Sequence, residues 1–276
     1  MSSVSLFDES RNELGEGLLV DEAANRLYWV DIVKSKIFSK DLSGGARDEY
    51  LVDGNPSALL YVRGSRLFFC SRSGLASIDV ASGQISAIDS IPGIGKGSRY
   101  RANDGTVLHN GNIVYGTMEE SPIGATGAIY GYDGVRTIDL NIDVGIPNGF
   151  VCLDNSRLLI ADSLQQRIDL YVLDSVALTL SFEKCWHDFS EFGYTPDGGC
   201  LANDGYVYFA LWDGFGIAVL DGSGKMVRTI ELPVPRPTNC KMAGSGRLFV
   251  TSARDGLSDQ MLREYPLSGS VFVLDL

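Results

Sequence analysis

NRLYWVDI (residues 25–32), SRLFFCSR (65–72), GNIVYGTM (111–118), SRLLIADS (156–163), GYVYFALW (205–212) and GRLFVTSA (246–253) are six runs of one kind in one chain. Each is dense in β-branched, aromatic and leucine residues and short enough to be a strand rather than a helix. Aligned on Leu27, Leu67, Ile113, Leu158, Val207 and Leu248, they recur every 40 to 50 residues or so, about the length of one four-stranded propeller blade. Several are followed by a turn and a further strand ending in an acidic residue, as in GLASIDV, RIDLYVLD and GIAVLDG, the pattern of consecutive antiparallel strands. The spacing therefore predicts an all-β fold, a six-bladed β-propeller with a central channel. It occupies residues 1–276 as a single domain, with helices nearly absent. The C-terminal SVFVLDL has no downstream partner and is expected to pair with the N-terminal segment, closing the ring.

Composition agrees with a globular β-rich chain: 276 residues, 45% hydrophobic, 21% charged and 32 glycines. A net charge of −12 repels a phosphate backbone and argues against nucleic acid as a partner. The opening MSSVSLFDESRNELGEG carries early acidic residues and no apolar run of signal or membrane length. The expectation is a cytoplasmic protein, a monomer or weak homodimer without a membrane partner. Cys70, Cys152, Cys185, Cys200 and Cys240 show no CxxC spacing and read as buried reduced thiols. His109 and His187 lie far apart with no GxSxG motif between them, which disfavours a serine or cysteine hydrolase.

Equivalent positions on successive blades lie on a common ring, so the residues at one phase of the repeat matter most. About ten positions before each strand landmark stand Glu16, Ser57, Asn103, Asn148, Asp197 and the Thr238–Asn239 pair, all polar. The short segments that carry most of them, LGEG, RANDG, IPNG and TPDGG, are glycine-rich, which suits tight turns and close approach of backbone to a ligand. A Glu, two Asn and an Asp supply oxygen donors without thiolate or imidazole. Such a set favours Ca²⁺, Mg²⁺ or Mn²⁺, and carboxylate with water also holds Zn²⁺. Ca²⁺ is the first expectation.

At these residues the chain resembles the senescence-marker-protein/gluconolactonase family of regucalcin-like sugar lactonases. The likeness runs through LGEG and NRLYWVDI, then RANDG, GTM, IPNG, IADS, TPDGG and LFVTSARDG, in order and over essentially the whole chain. The resemblance implies hydrolysis of a sugar lactone by water activated at one divalent metal ion. It implies metal ligands at Glu16, Asn148 and Asp197 and substrate contacts at Arg101 and Asn103; Asp197 is then the candidate general base, because a carboxylate at the metal can both orient the water and accept its proton. Arg101 would also stabilise an oxyanion. An acidic substrate contact is expected after GTM, where Glu119, Glu120 and Ser121 stand and the sequence leaves the choice open.

Two departures are visible. GEGLLVD replaces the usual GEGP, so Leu18 and Val20 are expected to reshape the first blade's inner turn. GKGSRYRAND adds Lys96 and Arg99 beside Arg101, which raises an anionic group on the substrate as one option. The rival readings are a calcium-binding regulatory propeller without turnover, an adhesive propeller hinted at by LYWVD, and a different esterase chemistry on the same fold.

Overall fold

The computed structural model describes residues 3–95, 97–244 and 246–276. Its strands form six four-stranded antiparallel sheets. The N-terminal strand is β1 (Ser3–Asp8). The first sheet consists of β2 (Gly15–Asp21), β3 (Arg26–Asp31), β4 (Lys36–Asp41) and β5 (Arg47–Leu51), and the second of β6 (Leu59–Arg63), β7 (Arg66–Ser71), β8 (Gly74–Asp79) and β9 (Ile85–Ser90). The third holds β10 (Tyr100–Val107), β11 (Ile113–Glu119), β12 (Gly127–Tyr132) and β13 (Thr137–Val144), and the fourth β14 (Pro147–Cys152), β15 (Arg157–Asp162), β16 (Arg167–Asp174) and β17 (Thr179–Asp188). The fifth holds β18 (Thr195–Leu201), β19 (Val207–Trp212), β20 (Gly216–Leu220) and β21 (Met226–Glu231). The sixth is β22 (Pro237–Ala243), β23 (Arg247–Ser252) and β24 (Val271–Asp275), completed by β1.

The first strands of the sheets, β2, β6, β10, β14, β18 and β22, each touch the next around a ring. This is the six-bladed propeller that the repeats predict. The clasp is also as expected, with β1 paired antiparallel to β24 from Ser3↔Asp275 to Asp8↔Val271. N- and C-terminal strands thus share one blade, in which β24 is paired on both sides, by β23 and by β1.

The second strand of each blade is apolar at nearly every position because it is buried on both faces. In β3, Leu27 and Trp29 pack with Phe249 and Val271 of the sixth blade, whereas Tyr28 and Val30 pack with Leu59, Leu67 and Phe69 of the second. The same alternation gives one apolar cluster at each of the six blade interfaces. The acidic strand ends have a structural use. Asp79, Asp174 and Asp221 each accept backbone N–H groups in the turn that follows, for example Ser82 N at 2.9 Å, Ala177 N at 2.8 Å and Ser223 N at 2.9 Å. Between β23 and β24 lies one short helix, α1 (Asp259–Glu264), capped by Ser258, whose side chain accepts from Met261 N. Among the described residues no helix is long and apolar enough to cross a membrane.

Candidate functional site

In a regular strand consecutive side chains point to opposite faces, so an inner strand would send only alternate residues toward the axis. Five of the six inner strands break that rule at the polar position, and in the second, β6, the break comes just after Ser57. Register shifts fall between Glu16 and Leu19, Leu59 and Tyr61, Ala102 and Gly105, Asn148 and Val151, Pro196 and Gly199, and Pro237 and Asn239. An extra residue at such a shift bends the strand and lets neighbouring side chains turn to the same face, as Glu16, Asn103, Asn148 and Asp197 do. Gly149 shows why glycine stands beside a ring residue. Its φ is +52°, and a Cβ there would lie 2.3 Å from Phe209 Cε1 and 2.7 Å from the Asp197 carbonyl oxygen.

The re-aimed residues meet in a cavity of about 520 Å³, with Glu16, Asn103, Asn148 and Asp197 buried in it and Arg101 beside them. Arg101 Nη1 donates to Asn103 Oδ1 at 2.6 Å. Asn103 Nδ2 donates to Asn148 Oδ1 at 2.7 Å and to Pro147 O at 2.9 Å. Asn148 Nδ2 donates to Ser163 Oγ at 2.9 Å, and Ser163 in turn donates to Pro196 O at 2.6 Å, beside Asp197. Across the ring, Glu16 Oε2 accepts from Gly17 N at 3.1 Å and Asn239 Nδ2 at 3.2 Å. The chain of bonds crosses from the third blade to the fifth, and the Asn239–Glu16 bond joins the sixth to the first.

Burial, reinforced by the charge of Asp104, pushes the Glu16 carboxyl up to about 8, against the opposing Gly17 and Asn239 hydrogen bonds. Burial and the charges of Glu16 and Asp104 push Asp197 up as well. Burial pulls the Arg101 guanidinium down, and Glu16 and Glu120 pull it back up. These acids therefore sit where negative charge is expensive with a single arginine among them. Among the described residues no three His, Cys, Asp or Glu side chains form a metal cluster, so any ion here would be held by carboxylates and amides together. The donor set fits a hard divalent cation on two counts. Asp197 Oδ1 is buried without a hydrogen-bond partner, and the oxygens of Glu16 and Asn148 each retain lone pairs beyond the bonds described.

The description "SMP-30/Gluconolactonase/LRE-like region" belongs to a family model that matches residues 14–254. The chain belongs to this family. It is 28% identical to regucalcin of Gallus gallus over 284 residues, a match covering 99% of this chain and 94% of that protein. It is likewise 28% identical to L-arabinolactonase of Azospirillum brasilense over 292 residues, covering 98% and 90%. Among solved structures, a calcium-binding protein, regucalcin, from Agrobacterium tumefaciens aligns with a TM-score of 0.91 at 25% identity, covering 98% of this chain and 92% of that one.

Of the residues implied by the likeness to the SMP-30/gluconolactonase family, Glu16, Arg101, Asn103, Asn148 and Asp197 all line the one cavity. The structure also separates the two glutamates after GTM. Glu120 lines the cavity, where its Oε1 accepts from Arg72 Nη2 at 2.6 Å. Glu119 is not among the lining residues and instead pairs with Arg99 Nη1 at 3.3 Å and accepts from Thr126 Oγ1 at 3.0 Å. Arg99 is thereby engaged outside the cavity, and Lys96 lies outside the described residues. Leu18 and Val20 pack with Trp29 and Phe38 in the interface of the first and sixth blades. Ser57 and Thr238 are buried away from the cavity lining, Thr238 tying the sixth blade to the Gly15 carbonyl. Of the thiols, Cys70, Cys200 and Cys240 are buried as expected, but Cys185 is exposed on β17. Ser163, Trp212 and Gln166 join the lining unannounced by the repeat phase, since Ser163 and Gln166 stand on the turn after β15 and Trp212 is the last residue of β19.

Proposed function

We propose that this chain hydrolyses a sugar lactone to the corresponding sugar acid, with Glu16, Asn148 and Asp197 holding one divalent cation, Ca²⁺ before Mg²⁺, Mn²⁺ or Zn²⁺. The observation that supports it most is the buried Asp197 Oδ1, without a hydrogen-bond partner, on a residue that lines one cavity with Arg101 and Asn103. Relatives named "L-arabinolactonase" and "Putative sugar lactone lactonase" point the same way. A divalent cation bound there supplies Lewis-acid polarisation of an ester carbonyl, a lowered pKa for water, and the positive charge that ionises both acids.

Each residue then has a step it is placed for. Asp197 accepts a proton from the water that attacks the carbonyl carbon, acting as general base. Arg101, braced by Asn103 at 2.6 Å, offers its remaining N–H groups to the oxygen on which negative charge develops. The ring C–O bond breaks, and the proton taken by Asp197 is the one the departing ring oxygen requires, giving a hydroxy acid. Glu120, held by Arg72, accepts hydrogen bonds from substrate hydroxyls. Trp212 and Leu14 give the sugar's C–H face an apolar wall.

A second reading is a calcium-binding propeller without turnover, favoured by the name of the Agrobacterium tumefaciens neighbour. A pH-indicator assay over a panel of aldonolactones, with EDTA-stripped protein and each metal restored, separates the two. Metal-dependent acid release that Asp197→Ala abolishes is the expected outcome. Tight Ca²⁺ binding with no turnover on any lactone would hand the case to the second reading.

A further inference from the structure

The residue after Asn103 has no part in the proposed reaction, yet it is a further carboxylate beside the site, behind the cavity lining. Asp104 shares the bulge of β10 with Asn103, so two consecutive side chains of one strand both reach the next blade. Together they grip one segment of β14. Asn103 bonds to Pro147 O and Asn148 Oδ1, and Asp104 Oδ2 accepts from Gly149 N at 2.8 Å. The other oxygen, Oδ1, accepts from Gly105 N at 2.8 Å. With both oxygens engaged by backbone N–H groups, the carboxylate is fixed beneath the ring. Beside it is a void of about 20 Å³, room for about one water, lined also by Asn239 and by Lys241 of β22.

We propose that Asp104 is a positioning residue for the cation site and that Lys241 is its counter-charge. Through Gly149 the carboxylate fixes the peptide that follows Asn148, so that this amide is presented to the cation in one orientation. Through space its charge adds to those of Glu16 and Asp197, and in a buried, low-dielectric setting a third negative charge strengthens the attraction for a divalent ion. Lys241, on the far side of the void, weakens that attraction. The two side chains therefore act on cation affinity in opposite directions, which a purely structural tie between blades would not produce. The inference rests on the metal reading proposed above.

Calorimetric titration of Ca²⁺ into EDTA-stripped wild type, Asp104→Asn and Lys241→Met tests it, with thermal midpoints recorded for each stripped protein. Asp104→Asn keeps the shape and an oxygen that can accept from Gly149 N but removes the charge. Its Ca²⁺ affinity is expected to fall by about tenfold to a hundredfold, the usual effect of removing a group that supports metal ligands. Lys241→Met is expected to bind more tightly than wild type. An Asp104→Asn affinity equal to wild type, or a Lys241→Met affinity that does not rise, overturns the inference while leaving the metal reading in place. A wild-type protein that binds no Ca²⁺ removes both.

Discussion

At Glu16 the acid carries its proton up to about 8 instead of 4.5, and this has a consequence for stability. Between those two values the unfolded chain has released the proton while the folded, cation-free chain has kept it. Stability of the stripped protein therefore falls as pH rises through that window, and Asp197, also pushed up by burial, acts in the same sense. A bound divalent ion replaces the proton as the partner of these carboxylates. The melting temperature in EDTA should thus drop between about pH 5 and about pH 8, saturating Ca²⁺ should remove the drop, and Glu16→Gln should shrink it without calcium. A stripped protein equally stable across that range would contradict the account. Residue types were legible at this scale because oxygen donors recur at one repeat phase. Which of two adjacent residues faces inward was not, since one bulge reverses the face. Asn103 and Asp104 both reach the neighbouring blade, and only Glu120 of the two glutamates after GTM reaches the cavity.

Among the elements, the second strands of the blades announced themselves by uninterrupted apolar runs, because both faces are covered. The outer strands did not. β5, β9 and β21 are largely exposed, so their sequences RDEYL, ISAIDS and MVRTIE carry little apolar signal. The clasp strand β1 shows how an element of modest hydrophobicity is held. At its end, Asp8 accepts from Lys40 Nζ at 2.9 Å and Arg47 Nη1 at 2.5 Å, while Lys40 also donates to Phe7 O at 2.8 Å. Burial would raise the Asp8 pKa, but the Lys40 hydrogen bond and the charges of Arg47 and Lys40 hold it below 3.8. A depressed carboxyl pKa gives stability that is fully present above 3.8 and is lost as pH falls below it toward the folded value. Asp8→Ala leaves two cations without their partner and is expected to cost about 3 kcal/mol at neutral pH, read by urea unfolding. The deficit relative to wild type should narrow on acidification, since wild type loses the same contribution there. A deficit that stays constant down to about pH 2 would show that the ion cluster does not supply it.

At the scale of the whole molecule, closure couples the blades. Each of the six apolar clusters is shared by two neighbours, so no blade can unfold without opening two interfaces. Repeat proteins with open ends can fray from a terminus, but here the last blade is completed by the first strand of the chain. Phe249, fully buried against Phe7 and packed in the cluster of the first and sixth blades, tests this coupling at one interface. Phe249→Ala is expected to destabilise the chain by about 3–5 kcal/mol through lost contacts and a residual cavity. The discriminating readout is where the loss appears. Trp29 reports on the mutated interface, whereas Trp186 belongs to the cluster between the fourth and fifth blades. Single-tryptophan variants retaining one or the other should show the same urea midpoint in Phe249→Ala, shifted together from the parent value. If the ring instead opens at the mutated join and leaves the remaining blades folded, Trp29 will report an earlier transition than Trp186, and the propeller would have to be treated as a chain of semi-independent blades.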